Sequence, residues 1–231
     1  MQLGVLLEGL PAVAGEASGL EIRDIQADSR RVTPGTLFLA LKGAHVDGHR
    51  FIPAAARAGA VAVLAEDPSL VPDGVTIPVI PCPSLPGILG PLGIRFFGDP
   101  SAALLVLGVT GTNGKTSTTY FCKGILEQAS WKTGLIGTIE NCIGEVREKA
   151  VNTTPDGLEL QRLFWRMREA VVLALEREVS SHALALGRVA GVHFGIILFT
   201  NITEDHLDFH GDMESYRAAK LSFLDYLKKS G

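Results

Sequence analysis

Runs of consecutive apolar residues alternate with segments whose apolar positions recur at helical spacing, and the alternation continues along most of the chain. In the first part, TLFLAL (36–41) predicts a short buried strand, AVAVLAE (60–66) a second and VTIPVI (75–80) a third. Between the first two, IPAAARAGA (52–60) predicts a helix that begins near Pro53 and stops at Gly59. PGILGPLGIRFF (86–97) follows as a further helix despite its internal Gly and Pro. The turn GDPS (98–101) marks an expected boundary between two domains, 1–98 and 99–231. Beyond it, AALLVLGVT (102–110) predicts a buried strand, GTNGK (111–115) a loop and TSTTYFCKGILEQA (116–129) a helix. KTGLIGT (132–138) and GIILFTNI (195–202) predict strands. DGLELQRLFWRMREAV (156–171) and MESYRAAKLSFLDYLKK (213–229) have helical spacing, with Trp165 expected in the core. Strand, loop and helix in succession predict an α/β fold: a small N-terminal α/β domain, then a mostly parallel sheet with flanking helices. In such sheets ligands sit beyond the carboxyl ends of the strands.

Composition narrows the classes. The 231 residues are 46% hydrophobic and 20% charged, an ordinary globular balance. A net charge of −4 supplies no basic field for nucleic acid, so any anion must be held by a local site. No apolar run approaches the roughly 20 residues of a membrane span, and no membrane insertion is expected. The opening MQLGVLLEGLPAVAGEA lacks a basic residue before its apolar part and carries Glu8 within it, so it reads as a first helix rather than a leader peptide. Cys82, Cys122 and Cys142 are odd in number and lack metal spacing, which suits free thiols in a reducing cytoplasm.

The candidate chemistry begins at the 111–116 loop. Gly111 and Gly114 let the backbone turn so that several N–H groups face one spot. A helix starting near Lys115 adds its unsatisfied N–H groups and the positive end of its dipole. Lys115 brings a full charge and Thr116 a hydroxyl suited to Mg²⁺. Together these form a polyphosphate cradle of the phosphate-loop type, with the shorter framework G-x-x-G-K-T because Val109 stands at the first glycine position. Glu178, at a predicted strand end in EVSSHALALGRV, is positioned to hold Mg²⁺ or to be a surface acid beside a helix cap. In FTNITEDHLDFHG, His206 and His210 are four apart and would share a face if the stretch is helical, with Asp205 and Asp208 close by. A zinc hydrolase is disfavoured, since H-x-x-x-H here lacks the internal Glu and a phosphate cradle favours Mg²⁺. Lys220, with apolar neighbours at helical spacing, reads by itself as a snorkelling lysine.

Taken together, DSRRVTPGTLFLALKGAHVDGHRFI (28–52), GVTGTNGKTSTT (108–119), KTGLIGT, NTTPDGLELQ (152–161), EVSSHALALGRV and FTNITEDHLDFHGDMESYRAAK resemble the Mur ligase family. The likeness is strongest to its members that add the third residue of the peptidoglycan stem peptide. That resemblance implies ATP-dependent amide formation through an acyl phosphate, in cell-wall synthesis that supports cell shape and division. It also implies UDP-N-acetylmuramoyl-L-alanyl-D-glutamate as the acceptor and meso-diaminopimelate or L-lysine as the incoming amino acid. By the same likeness, residues 1–98 would be the UDP-binding domain and 99–231 the first part of the ATP-binding domain. Gly111, Thr112, Asn113, Gly114, Lys115, Thr116 and Ser117 would bind ATP phosphates. Thr116 and Glu178 would hold one Mg²⁺, and His206 would help hold a second. Lys220 matches the family lysine that takes up CO₂ as a carbamate and then supplies an anionic oxygen. The catalytic set implied is therefore Lys115, Glu178, His206 and Lys220. Ser29, Ala44, His45 and Val46 would contact the uridine nucleotide. Asn152, Thr153, Thr154, Ser180 and Arg188 would line the path of the sugar and its peptide. A cytoplasmic monomer is expected.

Two departures qualify the likeness. The family's C-terminal domain, which closes over ATP, is expected to lie outside this chain, which ends soon after Lys220. The isolated chain is then expected to turn over little, because an incomplete central sheet leaves an apolar strand edge open. The other departure is LALEREVSS, which puts Glu176 and Arg177 where the family has an apolar strand. Mutual pairing, a later strand start and sequence drift would each account for it. A non-catalytic module holding the UDP-sugar peptide and a phosphate-loop NTPase of other purpose stay open as alternatives.

Overall fold

The computed structural model describes residues 1–43, 46–150 and 154–227. They divide into two compact units, Met1–Leu92 and Gly93 onward. In the first, β1 (Asp24–Gln26), β2 (Thr36–Ala40), β3 (Ala60–Ala65) and β4 (Val79–Pro81) form a parallel sheet in that order. All five residues of β2 are buried, as an uninterrupted apolar run in a central parallel strand requires. Helix α1 (Leu3–Leu7) is shorter than the opening apolar stretch suggested. Gly9 at φ +69° and Pro11 end it, and the chain resumes as a 3₁₀ turn over Gly15–Gly19. Helix α2 (Ile52–Arg57) stops at Gly59, whose φ is +106° and whose added Cβ would lie 2.8 Å from Pro34 Cα. Helix α3 (Leu85–Phe97) spans the division between the units.

The second unit holds β5 (Leu105–Thr110), α4 (Lys115–Gln128), β6 (Thr133–Ile136), β7 (Glu140–Ile143) and β8 (Val146–Lys149). It continues with α5 (Gly157–Glu169), β9 (Ala174–Glu178), α6 (Ser181–Ala185), β10 (Phe194–Phe199), α7 (Leu207–His210) and α8 (Met213–Leu221). The strand order is β10-β5-β9-β6-β7-β8. The first four strands run parallel, and β7–β8 is an antiparallel hairpin extending one edge. Asp156 caps α5, its carboxylate accepting from Glu159 N–H at 2.9 Å, and Arg166 and Arg168 sit in the last turn, where cations oppose the helix dipole. The apolar face of α5 (Leu160, Leu163, Phe164, Met167) packs with Val106, Ile136, Leu175, Phe194 and Phe223. Trp165 lies off this face, contrary to its expected core position. It is 37% exposed and stacks on Phe97 at 5.7 Å, since helical spacing turns it away from Leu163 and Met167.

Glu176 and Arg177 lie inside β9, so the strand does not start later, and both are fully buried. Neither do they pair: adjacent strand residues point to opposite faces. Among the described residues, neither carboxylate oxygen of Glu176 and no guanidinium nitrogen of Arg177 has a hydrogen-bond partner. The Arg177 guanidinium instead lies 5.9 Å above the Phe194 ring. Burial pushes Glu176 up to about 7 and Arg177 down to about 9.

Candidate functional site

Strands β5 and β9 are neighbours with Val109 in register with Glu178, so both bring their C-terminal ends to one rim of the sheet. There the chain leaves β5 through residues 111–114 and enters α4 at Lys115. Gly111 has φ +143°, and an added Cβ would lie 2.0 Å from Thr200 Oγ1 and 3.1 Å from the backbone N and O of Asn201. Only glycine passes the segment after β10 at that distance. That segment also pins the loop. Thr112 N–H donates to Asn201 O and Asn113 N–H to Asn201 Oδ1, each at 3.0 Å. Thr200 Oγ1 and Asn201 Nδ2 donate to Asn113 O at 2.6 and 3.1 Å.

The side chains of the loop face inward onto this frame. Lys115 Nζ folds back to donate to Gly111 O and Thr112 O, both at 2.9 Å. Burial pulls its pKa below the ordinary lysine value, with Glu178 and Asp205 opposing. Thr116 Oγ1 donates to Glu178 Oε2 at 2.9 Å. Glu178 is 1% exposed and also accepts from Thr138 N–H and Thr138 Oγ1, each at 3.0 Å. Lys220 is buried on α8, and its Nζ donates to the same Gly111 carbonyl at 2.8 Å. Burial first, and then the neighbouring Lys115, bring it down to about 8. Ser117 is exposed on the first turn of α4.

His206 and His210 both bring their rings to His182, though not by the shared helix face that their spacing implied. His206 caps α7 from outside in a left-handed conformation, φ 54°, so it shares no helix face with His210. Its N–H donates to Asp205 Oδ1 at 2.9 Å, and its ring meets His182 at 4.7 Å. His210 turns to Ser181 Oγ at 3.0 Å. No group of three or more His, Cys, Asp or Glu among the described residues would hold a metal. A magnesium site here therefore has to be built from hard oxygens: the Thr116 hydroxyl, the Glu178 carboxylate and a ligand's own phosphate oxygens. The Thr116–Glu178 contact, beside backbone N–H groups at a helix start, fits that composition. The Lys220 ammonium is a donor only and would join a cation's ligands only after losing its charge.

The remaining candidates are spread more widely. Thr154 Oγ1 donates to Glu178 O at 3.4 Å, and Arg188 reaches Thr154 O at 3.1 Å, so these two adjoin the end of β9. Ser180 caps α6, accepting from Ala183 N–H at 3.2 Å. Ser29 starts a 3₁₀ turn in the first unit and Val46 is exposed there. Ala44, His45, Asn152 and Thr153 lie outside the described residues. Spacing did not reveal Thr138, Thr200, Asn201, His182 or Tyr216. Thr138, Thr200 and Asn201 stand at the C-terminal ends of predicted strands and His182 follows Ser180 and Ser181, so their place near strand ends was the available signal.

A parallel sheet whose strand turns through a glycine loop into a helix opening with Lys-Thr, with an acid at the end of the adjacent strand, is a phosphate-loop α/β arrangement. Residues 109–231 match the Mur ligase middle domain and residues 21–96 match the Mur ligase family catalytic domain, and the chain belongs to the Mur ligase family. It is 46% identical over 221 residues to the UDP-N-acetylmuramoyl-L-alanyl-D-glutamate–2,6-diaminopimelate ligase of Geobacillus thermodenitrificans. It is 43% identical to the enzyme of the same name from Listeria monocytogenes. These alignments cover 95% of this chain and 44% of each relative, so the chain spans under half their length. A solved structure of a ligase with that name superposes with TM-score 0.71 at 29% identity, over 90% of this chain and 42% of the other.

Proposed function

We propose that this chain supplies the UDP-binding and ATP-binding parts of an ATP-dependent ligase of peptidoglycan precursor synthesis. The acceptor is UDP-N-acetylmuramoyl-L-alanyl-D-glutamate and the incoming amine is that of 2,6-diaminopimelate or L-lysine, the former named for the relatives at 42–46% identity. The γ-phosphoryl group of ATP passes to the acceptor carboxylate, ADP leaves, and the amine displaces phosphate from the acyl phosphate. Gly111 to Ser117 hold the polyphosphate, with Lys115 exchanging its two carbonyl partners for phosphate oxygens. Thr116 and Glu178 would hold Mg²⁺, and His206 would help hold a second ion. Ions bound there would offset the repulsion between carboxylate and phosphate. Lys220 at about 8 has an accessible neutral amine. Addition of CO₂ to that amine, with loss of a proton, gives a carbamate whose oxygen can join the cation's ligands. Ser29 and residues 44–46 contact the uridine nucleotide, and residues 152–154 with Ser180 and Arg188 guide the sugar peptide. The protein acts as a cytoplasmic monomer, in keeping with Cys82, Cys122 and Cys142 as free thiols and with no described helix long and apolar enough to cross a membrane.

The observation that carries this reading is the joint placement of Lys115 and the Thr116–Glu178 pair at one strand rim. Calorimetry with MgADP and with the UDP-dipeptide tests it. Both are expected to bind, and Lys115→Ala is expected to weaken the first about 10- to 100-fold and to leave the second unchanged. MgADP affinity left unchanged by Lys115→Ala would sink the assignment.

A further inference from the structure

Tyr216 touches Thr112, Lys220 and the two histidines, yet no chemistry invoked above requires a phenol there. It is fully buried on α8. Its hydroxyl lies 2.9 Å from Thr112 Oγ1. The Lys220 ammonium stands 4.8 Å above its ring. The His206 and His210 rings approach it edgewise or tilted at 6.3 and 5.3 Å. One ring thus contacts the phosphate loop, the buried lysine and the histidine turn.

The direction of its hydrogen bond follows from counting. Thr112 Oγ1 donates its single proton to Thr203 O at 3.1 Å and accepts from Thr203 N–H at 3.0 Å. One lone pair remains, so the Tyr216 hydroxyl is the donor. Thr112 is the residue whose carbonyl receives Lys115 Nζ and whose N–H is held by Asn201. We infer that Tyr216 is a positioning residue: its hydroxyl locks Thr112, and through it the open phosphate loop, to the helix that carries Lys220. The ring orients the lysine while the hydroxyl sets the loop, so the two halves of the site keep one spacing before any ligand arrives. This rests on the nucleotide reading of the loop.

Tyr216→Phe separates the two roles, because it keeps the ring and removes the donor. Without nucleotide, amide hydrogen exchange across residues 111–116 is expected to rise in this variant, while exchange across β5 stays as in the wild type. MgADP affinity is expected to fall about fivefold, the size of one lost buried hydrogen bond. In a Thr112→Val background the same change should cost nothing further, since its partner is already gone. A Thr112→Ser background, which keeps the acceptor, should restore the effect. Unchanged loop exchange, or an equal loss of affinity in the wild-type and Thr112→Val backgrounds, would overturn the inference. Failure of the wild type to bind MgADP would instead refute the nucleotide reading, and the exchange comparison would still decide the role of Tyr216.

Discussion

Replacing Glu176 by valine is expected to stabilise the second unit, and by an amount that depends on pH. Glu176 is fully buried in β9, in register with Leu107 on one side and Leu135 on the other. Its carboxylate has no hydrogen-bond partner among the described residues. Burial raises its pKa from 4.5 to about 7, partly offset by its own backbone and by Lys123. The native state therefore holds the proton more tightly than the unfolded chain does. Below 4.5 the group is neutral in both states and carries no ionisation penalty, whereas above about 7 it is ionised in both and the full penalty applies. At about 1.4 kcal/mol per tenfold change, that penalty is about 3 kcal/mol at about pH 8 and about 1 kcal/mol at about pH 5. Valine removes it and suits a strand flanked by leucines. Both tryptophans, Trp131 and Trp165, lie in the second unit, so urea unfolding followed by their fluorescence reports on that unit. With a slope of about 1–3 kcal/mol per molar, the midpoint should rise by about 1–3 M at the higher pH and by about a third of that at the lower. Glu176→Gln should flatten the pH dependence while keeping an unpaired polar group, and so gain less. An equal gain at both pH values, or destabilisation at the higher one, would refute the reasoning.

Arg177→Met should also stabilise the second unit near neutral pH, by about 1–4 kcal/mol in urea unfolding, because it removes a buried cation that has no hydrogen-bond partner among the described residues and lies over the Phe194 ring. In the wild type this cost is full below about 9 and declines as pH rises above it toward the ordinary arginine range, so stability should climb there relative to the variant. Lys115→Ala is expected to weaken MgADP about 10- to 100-fold by calorimetry, the range for lost charge-assisted hydrogen bonds, with little change in unfolding midpoint. Gly111→Ala should abolish nucleotide binding and lower the thermal midpoint, because its Cβ would strike Thr200 Oγ1 at 2.0 Å. A normally binding alanine variant would show that the loop is looser than described.

Much of the parallel architecture could be read from apolar runs such as 36–41, 60–66 and 102–110, because strands buried on both faces need no alternation. The hairpin β7–β8 could not: ENCI and VREK carry mixed polar residues, with β8 mostly exposed at the sheet edge. Trp165 misled because an aromatic on an amphipathic helix can bury against a single neighbour instead of the core. The loop at 111–116 was legible because its glycines and Lys-Thr sit in one stretch. Thr138, Asn201 and Tyr216 were not, since they reach the site from 22 to 104 positions away in the sequence and only the topology gathers them.

The Gly111 carbonyl shows what that gathering leaves unfinished. It accepts from Lys115 Nζ at 2.9 Å and Lys220 Nζ at 2.8 Å, so two ammonium groups crowd one neutral oxygen. Glu178 is occupied by Thr116 and Thr138 and gives neither lysine a hydrogen bond. Burial in a desolvated pocket disfavours the charged form of both lysines and shifts both down, and at Lys220 the neighbouring Lys115 adds to the shift. Three events relieve the strain. An arriving anion can draw Lys115 outward, Lys220 can lose its proton, or Lys220 can become an anion by taking up CO₂. The first and third reinforce each other, since a carbamate beside Gly111 would attract the cation that a polyphosphate brings with it. The proposed chemistry therefore follows the direction in which the unliganded site is already electrostatically biased.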